Sequence, residues 1–510
     1  MTSMKVIDLR GGAQDVRRKP YDYCVIGAGA IGLYVAARLA DRGAAVVIVE
    51  RGGTRPGPPP DQREIEFGAS PYSAATNGRD CGFGGTTSRW GGLLVPHIDA
   101  DTRGSRDWGH IVSTVRARSS AVLSALGWRH GHDGENQWFG SPRLGEAAAL
   151  GGEVIALRSL YLPFRRKNLR WLIEGRKIDV FVHAVAAEWK VRRSDPAAVE
   201  SIVIRAQDGA ERVLTAGRFV VAAGAIESTR CALEIASLLP NRCLPVDATI
   251  GFGLSDHLSI PIGKFEGPGA EWASNRLGFW WEHGWMRGCR MAGCDESRFP
   301  VRSFIHPVFH SDGPGFRMVR EALRAIQARR RPRLRASDVI RAAPALSRYA
   351  IERLRNRVHH EPDTTCVMQL DVEQVPDRSN HVELVQGTQD WSGRPRIRVS
   401  WSISDADRRS IAISARAYQD AWSSTPGLPE WRPLIEQVSQ QRPHDAYHPV
   451  GTCRMGLDDG VVDGNLRLRG LSNVWIASTA VLPSAGSANP TFSTMCLADE
   501  AVRDMVASHQ

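Results

Sequence analysis

Apolar runs and their breaks divide the chain before any single residue is considered. Tyr23-Cys24-Val25-Ile26 has the look of a short buried strand, six residues rich in glycine (Gly27 to Gly32) follow at once, and Leu33 to Arg42 reads as a helix closing at Gly43. A second strand, Ala45 to Val49, ends at Glu50, so the head of the chain is a βαβ start. Val182 to Trp189 predicts a strand, and so do Thr365 to Leu370, His381 to Val385 and Arg396 to Trp401, with Asp377-Arg378-Ser379-Asn380 as a turn between the first two of these three. Val319, Leu323 and Ile326 repeat at helical spacing. Ser337 can cap a second helix with Val339, Ala343, Leu346, Ala350 and Leu354 on one face. No run approaches the roughly 20 apolar residues a spanning helix needs, so the chain is not expected to be integral to a membrane.

At 510 residues the chain exceeds what one core usually organises, and two domains, built from interleaved segments, are expected. Its 42% hydrophobic and 24% charged content is that of a globular enzyme. Met1 to Pro20, with its Arg17-Arg18 pair, lacks the apolar core of a secretory signal, which points to the cytoplasm. Nine cysteines without paired or metal-like spacing read as reduced, packed thiols, Cys453 among them, and no metal site is expected. The net charge of +10 has one source: residues 316–360 hold thirteen arginines against Glu321, Asp338 and Glu352. That segment reads either as a solvated helical cover or as a docking surface for an anionic substrate, a partner or membrane headgroups. Nucleic acid is not expected, because no aromatic-interleaved or recognition-helix pattern accompanies the arginines.

The glycines of Gly27-Ala28-Gly29-Ala30-Ile31-Gly32 let backbone approach a pyrophosphate at a helix N-terminus, and Glu50 lies where an acid accepts from both ribose hydroxyls. The fingerprint does not separate nicotinamide from flavin dinucleotide. A second cluster, Gly82 to Gly92, is too rich in glycine for a helix or strand interior and looks like a loop pressed against a planar ligand, which favours flavin. Near the other end, His448 in Tyr447-His448-Pro449-Val450-Gly451-Thr452 is followed by Asn489 in Ala488-Asn489-Pro490-Thr491. Oxidising an alcohol needs a base near neutrality, and imidazole, with an ordinary pKa of about 6.5, suits it; a neutral amide can hold the substrate oxygen at any pH. His257 and His444 are lesser candidates with structural roles.

These segments together resemble the glucose-methanol-choline (GMC) oxidoreductases, flavoproteins that oxidise alcohols. The resemblance runs from the fingerprint through Glu50-Arg51, Gly84-Gly85-Thr86-Thr87, Phe219 to Arg230, Gly251 to His257, Val461-Val462-Asp463 and Leu482-Pro483. The look is closest to bacterial pyranose and glycoside oxidoreductases, with Arg89 where the flavin loop commonly has histidine, Ser478 where an acidic flavin contact is usual, and Ala480 where serine is frequent. The resemblance implies an α/β fold: a Rossmann-like FAD-binding domain (20–95, 180–258 and 440–510) interleaved with an α+β substrate domain (96–179 and 259–439) whose antiparallel sheet is covered by helices. It also implies non-covalent FAD held by Gly27, Gly29, Gly32, Glu50, Arg51, Gly85, Thr86, Arg89, Trp90, Gly91, Ala186 (whose backbone would meet adenine), Ala223, Ser478, Thr479, Asn489, Pro490 and Thr491. His448 would be the general base, with Asn489 beside it and hydride passing to flavin N5. The implied substrate is a small-molecule alcohol, foremost a sugar or glycoside secondary hydroxyl, with O2 or another acceptor taking the electrons. Trp272, Phe279, Trp280, Trp281 and Trp285 would suit a pyranose face or serve as core. A nicotinamide-dependent dehydrogenase and a catalytically silent flavin-binding subunit are the alternatives.

Overall fold

The computed structural model describes residues 4–11, 20–59, 64–68, 70–129, 137–140, 143–144, 150–239, 249–327, 331–332, 335–434 and 442–507. The Arg17-Arg18 pair and Arg329, Arg330 and Arg333 of the basic segment lie outside them.

Two large sheets organise the chain. In the first, Lys5–Asp8, Ile178–Val182, Val46–Val49, Tyr21–Ile26 and Glu211–Val221 run parallel in that order, and Val474–Ile476 also pairs with Glu211–Val221. Val25, Val47, Val180 and Val220 are fully buried, as strands covered on both faces must be. Helix Ala30–Ala40 starts directly after the glycine turn, and only glycine fits at two points of that turn. A Cβ on Gly32 would lie 2.1 Å from the Gly27 carbonyl oxygen, and one on Gly27, whose φ is +102°, would lie 2.7 Å from that of Ala222.

The expected strand from Val182 to Trp189 is two strands. His183 adopts a left-handed φ of 55°, while the amides of His183 and Ala184 donate to the carbonyls of Gly52 and Glu50. The chain breaks there, and Val185–Arg192 continues as the antiparallel edge beside Asp195–Arg205.

The second sheet is antiparallel, in the order Arg432–Pro433, His257–Phe265, Thr365–Glu373, Ser303–His310, Trp285–Gly293, Val154–Tyr161 and Leu93–Leu94. His381–Gln389 and Pro395–Ser400 do not belong to it, as the strand pattern suggested. They form a separate three-stranded sheet with Ile65–Phe67. The turn at Asp377 is present, with the Asn380 amide on the Asp377 carbonyl, but it carries the chain from one sheet to the other. Each large sheet has its own apolar core, the first completed by Pro490–Ala507 and the second by Asp405–Ser423. The tryptophans of 272–285 are mostly packing: Trp280 and Trp285 are buried, and Trp272 packs against Phe265 and Trp422.

The basic segment forms helices Pro314–Gln327 and Ala336–Leu354, which pack on one another. Ser337 is not the cap. Arg335 holds that position without a side-chain hydrogen bond, and Ser337 lies in the first turn. The apolar face read from the spacing points outward for the most part: Val339, Ala343, Ala350 and Leu354 are exposed, Leu346 is half-buried, and Ala342 is buried.

Candidate active site

A cavity of about 590 Å³ opens along the carboxyl ends of the parallel strands. Gly27, Gly29, Glu50, Arg51, Gly85, Thr86, Arg89, Trp90, Gly91, Ala186, Ala223, Ser478, Thr479, Asn489, Pro490 and Thr491 all line it, and so does His448. Gly32 does not; it lies inside helix Ala30–Ala40, where its missing side chain lets the helix close against the turn. The two glycine loops touch, the Gly84 amide donating to the Ala28 carbonyl at 2.8 Å.

Glu50 joins the same loops. Its Oε1 accepts from the amides of Gly52 and Gly82 and its Oε2 from that of Ala28, each at 2.7 Å. Burial raises its pKa against those three donors. A carboxylate offers about four acceptor sites, so one remains for a ribose hydroxyl and not the two expected from the sequence. Arg51 turns away into a buried ionic cluster, bidentate with Glu64 at 2.8 and 2.5 Å. Arg89 pairs with Asp80 at 2.7 Å, and the Trp90 indole donates to the Lys167 carbonyl. Thr86 donates to the Gly78 carbonyl, Thr479 to that of Pro449, and the Ala223 amide to Ser228. Ala186 lies at a register shift in its strand. Ser478 is buried in the cavity wall with a hydroxyl that has no partner, and Pro490 begins a helix whose free amides face an anion well. An orphaned hydroxyl, a glycine cradle, one open carboxylate site and two helix N-termini fit a dinucleotide.

A second cavity, of about 400 Å³, is lined by residues of the antiparallel sheet, among them Ser159, Ser259, Phe279, Arg290, Phe304, His306, Gln369 and Asp371, and by His444. His448 and Asn489 line both cavities. Their side chains meet at 2.8 Å, Nδ2 of Asn489 on Nε2 of His448. On the other side, Nδ1 of His448 lies 3.0 Å from Nδ1 of His257, whose Nε2 lies 2.8 Å from the Gly486 carbonyl.

Only one proton arrangement satisfies this chain for neutral rings. A carbonyl must accept, so His257 donates from Nε2 and accepts at Nδ1. His448 therefore donates from Nδ1, and its Nε2 keeps a lone pair toward Asn489. The amide faces that lone pair with its nitrogen because Arg290 donates to Asn489 Oδ1 at 2.8 Å. Burial, then the neighbouring His257, pushes the His448 pKa down to about 3. One carboxylate oxygen sets both backbones: Asp256 Oδ1 accepts from the amides of His257 at 2.7 Å and His448 at 2.9 Å. Tyr72 donates to Asp256 Oδ2, and burial raises the Asp256 pKa to about 8.

His257 thus supports the site directly, more than its place in the sequence implied. Arg290 escaped sequence reading altogether. It is buried in the strand Trp285–Gly293, its guanidinium 3.9 Å from the Phe304 ring centroid, and burial lowers its pKa to about 10. Two arginines, Arg287 and Arg290, in an otherwise apolar sheet strand were the available signal.

Residues 376–498 match the family model for GMC oxidoreductases. The match covers the turn into the small sheet, the His448 loop and Asn489. Among curated proteins, 68 residues are 38% identical to an alcohol dehydrogenase [acceptor] of Pseudomonas putida, 13% of this chain and 12% of the relative. Another 72 residues are 42% identical to pyridoxine 4-oxidase of Microbacterium luteolum, 12% of this chain and 14% of the relative. The matches span between about an eighth and a quarter of the length of the curated relatives. The whole fold has counterparts. Pyridoxine 4-oxidase from Mesorbium loti superposes with a TM-score of 0.57 at 16% identity over 96% of this chain and 99% of its own. Formate oxidase from Aspergillus oryzae gives 0.58 at 14% over 97% and 99%. This chain shares the fold of these two oxidases, an α/β unit on a parallel sheet joined to a unit built on an antiparallel sheet.

Proposed function

We propose that this protein is an FAD-dependent alcohol oxidoreductase that converts a secondary hydroxyl of a sugar or glycoside to a carbonyl. The observation that carries the reading is the placement of His448 and Asn489 in the shared wall of the two cavities, with the imidazole lone pair fixed at Nε2. Residues from 20–95, 180–258 and 440–510, with Arg394, line the first cavity, and residues from 96–179 and 259–439 make up most of the lining of the second. FAD, when bound non-covalently in the first cavity, supplies the hydride acceptor.

The chain's own residues do the rest. An alcohol hydroxyl entering from the second cavity displaces the amide from Nε2, donates its proton there and accepts a hydrogen bond from Asn489. Loss of that proton gives the carbon the electron push that hydride departure needs, an effect typically worth ~10²- to 10⁴-fold. Because His448 is held neutral its lone pair is free, but burial also makes it a weaker base than an ordinary imidazole, so the proton moves together with hydride departure, when the hydroxyl is most acidic. Ser159, Ser259, Gln369, His306 and Asp371 give the second cavity the polar walls a polyhydroxylated substrate needs, and Phe279 and Phe304 give it apolar faces. The pairing of His306 with Asp371 at 3.0 Å leaves a charged, hydrogen-bonding group in that wall.

The test is an anaerobic spectrum of the purified protein before and after adding candidate sugars, glycosides and simpler alcohols. Yellow absorbance bleached by a sugar supports the reading. A colourless protein removes the flavin, and bleaching by simple alcohols alone removes the sugar.

A further inference from the structure

The helices Pro314–Gln327 and Ala336–Leu354 carry an arrangement that the site chemistry does not use. Six of the twelve exposed large apolar side chains among the described residues lie on this one pair: Val319, Leu323, Val339, Ile340, Ile351 and Leu354. Ile340 is 73% exposed and Leu354 86%.

Their distribution is ordered. On the second helix Ile340, Ala343, Ser347, Ile351 and Leu354 fall at intervals of three and four residues, and all are exposed, so they form one outward stripe. Ala342, Ala345, Leu346 and Tyr349, buried or half-buried, occupy the opposite face. Arg341, Arg348 and Arg355, seven residues apart, run along one border of the stripe, the last bonded to Glu352. Nine arginines of the pair and its flanks are exposed, and this segment accounts for the chain's whole net charge of +10.

We propose that this helical pair is a peripheral docking element for an anionic lipid surface. Apolar side chains in a stripe bordered by arginines are what a helix lying in the headgroup region presents, aliphatic groups entering the acyl boundary while guanidinium groups stay with the phosphates. A second copy of this chain does not fit, since the same arginines would face one another. An acidic protein fits less well. Neither cavity described above is lined by these helices, and an exposed stripe along a single convex helix suits a continuous surface more than an anchor side chain.

The position relates the element to the substrate cavity. The Val358 amide donates to the Phe279 carbonyl at 3.3 Å, the Trp281 amide to that of Asn356 at 2.9 Å, and the rings of Phe309 and His360 lie 4.4 Å apart. Phe279 itself lines the second cavity. The pair is rooted on the outer wall of that cavity, so docking brings the wall to the lipid surface.

Co-sedimentation of the full-length protein with vesicles of phosphatidylglycerol or of phosphatidylcholine tests this. Binding to the anionic vesicles only is expected, weakening as salt rises toward physiological strength. The charge-neutral triple variant Ile340→Ser, Ile351→Ser, Leu354→Ser should bind at least ~tenfold more weakly, the least that withdrawing buried aliphatic groups predicts. All three sites are exposed, so its thermal midpoint should match that of the natural chain. Failure to sediment with phosphatidylglycerol overturns the proposal and leaves an acidic protein as occupant. Unchanged binding by the triple variant also overturns it, because adsorption by charge alone has no use for the apolar stripe.

Discussion

Nδ2 of Asn489 and Nε2 of His448 lie 2.8 Å apart across forty-one residues of sequence, so the amide marks the one imidazole nitrogen free to take a proton. Replacing His448 with alanine removes that acceptor. The variant should fold and retain cofactor, yet lose at least ~10²-fold in alcohol-dependent bleaching measured by stopped flow, the lower end for a general base. Asn489→Ala should cost the same or less. Unchanged bleaching in His448→Ala would refute the assignment.

Arg290 acts on the base through Asn489. Arg290→Met keeps the bulk over Phe304 but frees the amide to flip, which would set its oxygen against the Nε2 lone pair. We expect roughly a tenfold loss in the bleaching rate, the size of one charged hydrogen bond, with no rescue by lysine, whose ammonium does not reproduce the planar guanidinium contact. A rate equal to the natural one for Arg290→Met sinks this role.

The pH dependence follows from the lowered His448 pKa. Neutral imidazole is the proton-accepting form, and a group lowered to about 3 stays in that form as pH falls past the ordinary imidazole value. Bleaching should therefore be flat from about pH 7 to about pH 5, where an unperturbed imidazole of pKa about 6.5 would lose most of its activity. A half-maximal rate near the ordinary value would show that the cavity wall does not hold the ring neutral.

Asp256 predicts a stability effect with a definite sign. Its carboxyl is raised to about 8, above the ordinary value of about 3.9, so below that pH the folded state holds a proton that the unfolded state has lost, carried on Oδ2 with the Tyr72 hydroxyl turned to accept it, and stability falls as pH rises through this window. Asp256→Asn keeps an oxygen for both histidine amides and lets the Tyr72 hydroxyl turn to accept, so thermal unfolding at neutral pH should change little and should respond less to pH. Asp256→Ala leaves two buried amides without an acceptor, at about 1–3 kcal/mol each. Equal melting temperatures for the two variants would contradict this.

Arg89 bears on cofactor attachment. A guanidinium has no lone pair to attack a flavin methyl group, and here it is held by Asp80. Acid or heat precipitation should release all yellow colour into the supernatant. Colour retained on the denatured polypeptide would point to another attachment residue.

Much of the fold was legible because its signals are local. The glycine turn, its flanking strands and Glu50 lie within thirty residues, and only glycine fits where Gly27 and Gly32 meet neighbouring carbonyls. His448 and Asn489 could be read from their own short motifs. What could not be read depends on register between distant strands: His257 reaches His448 across 191 positions, and Arg290 reaches Asn489 across 199. The helix Ala336–Leu354 shows a different limit. Periodicity identifies an apolar stripe but not its direction, and here Ala342 and Ala345 face the protein while Ile340 and Leu354 face outward. His183 shows a third, since its left-handed backbone, which splits the expected strand, is set by the carbonyls of Gly52 and Glu50.

Every donor in the line from Arg290 through Asn489, His448 and His257 points the same way, toward the Gly486 carbonyl. That carbonyl can receive a hydrogen bond but cannot bind a proton and pass it on. A proton gained at Nε2 of His448 can release the Nδ1 proton to His257 but goes no further, because the line ends at that carbonyl. The arrangement is a reservoir and not a wire: the positive charge is shared by two imidazoles for as long as the site is closed to solvent, and the proton leaves only by the face through which it came.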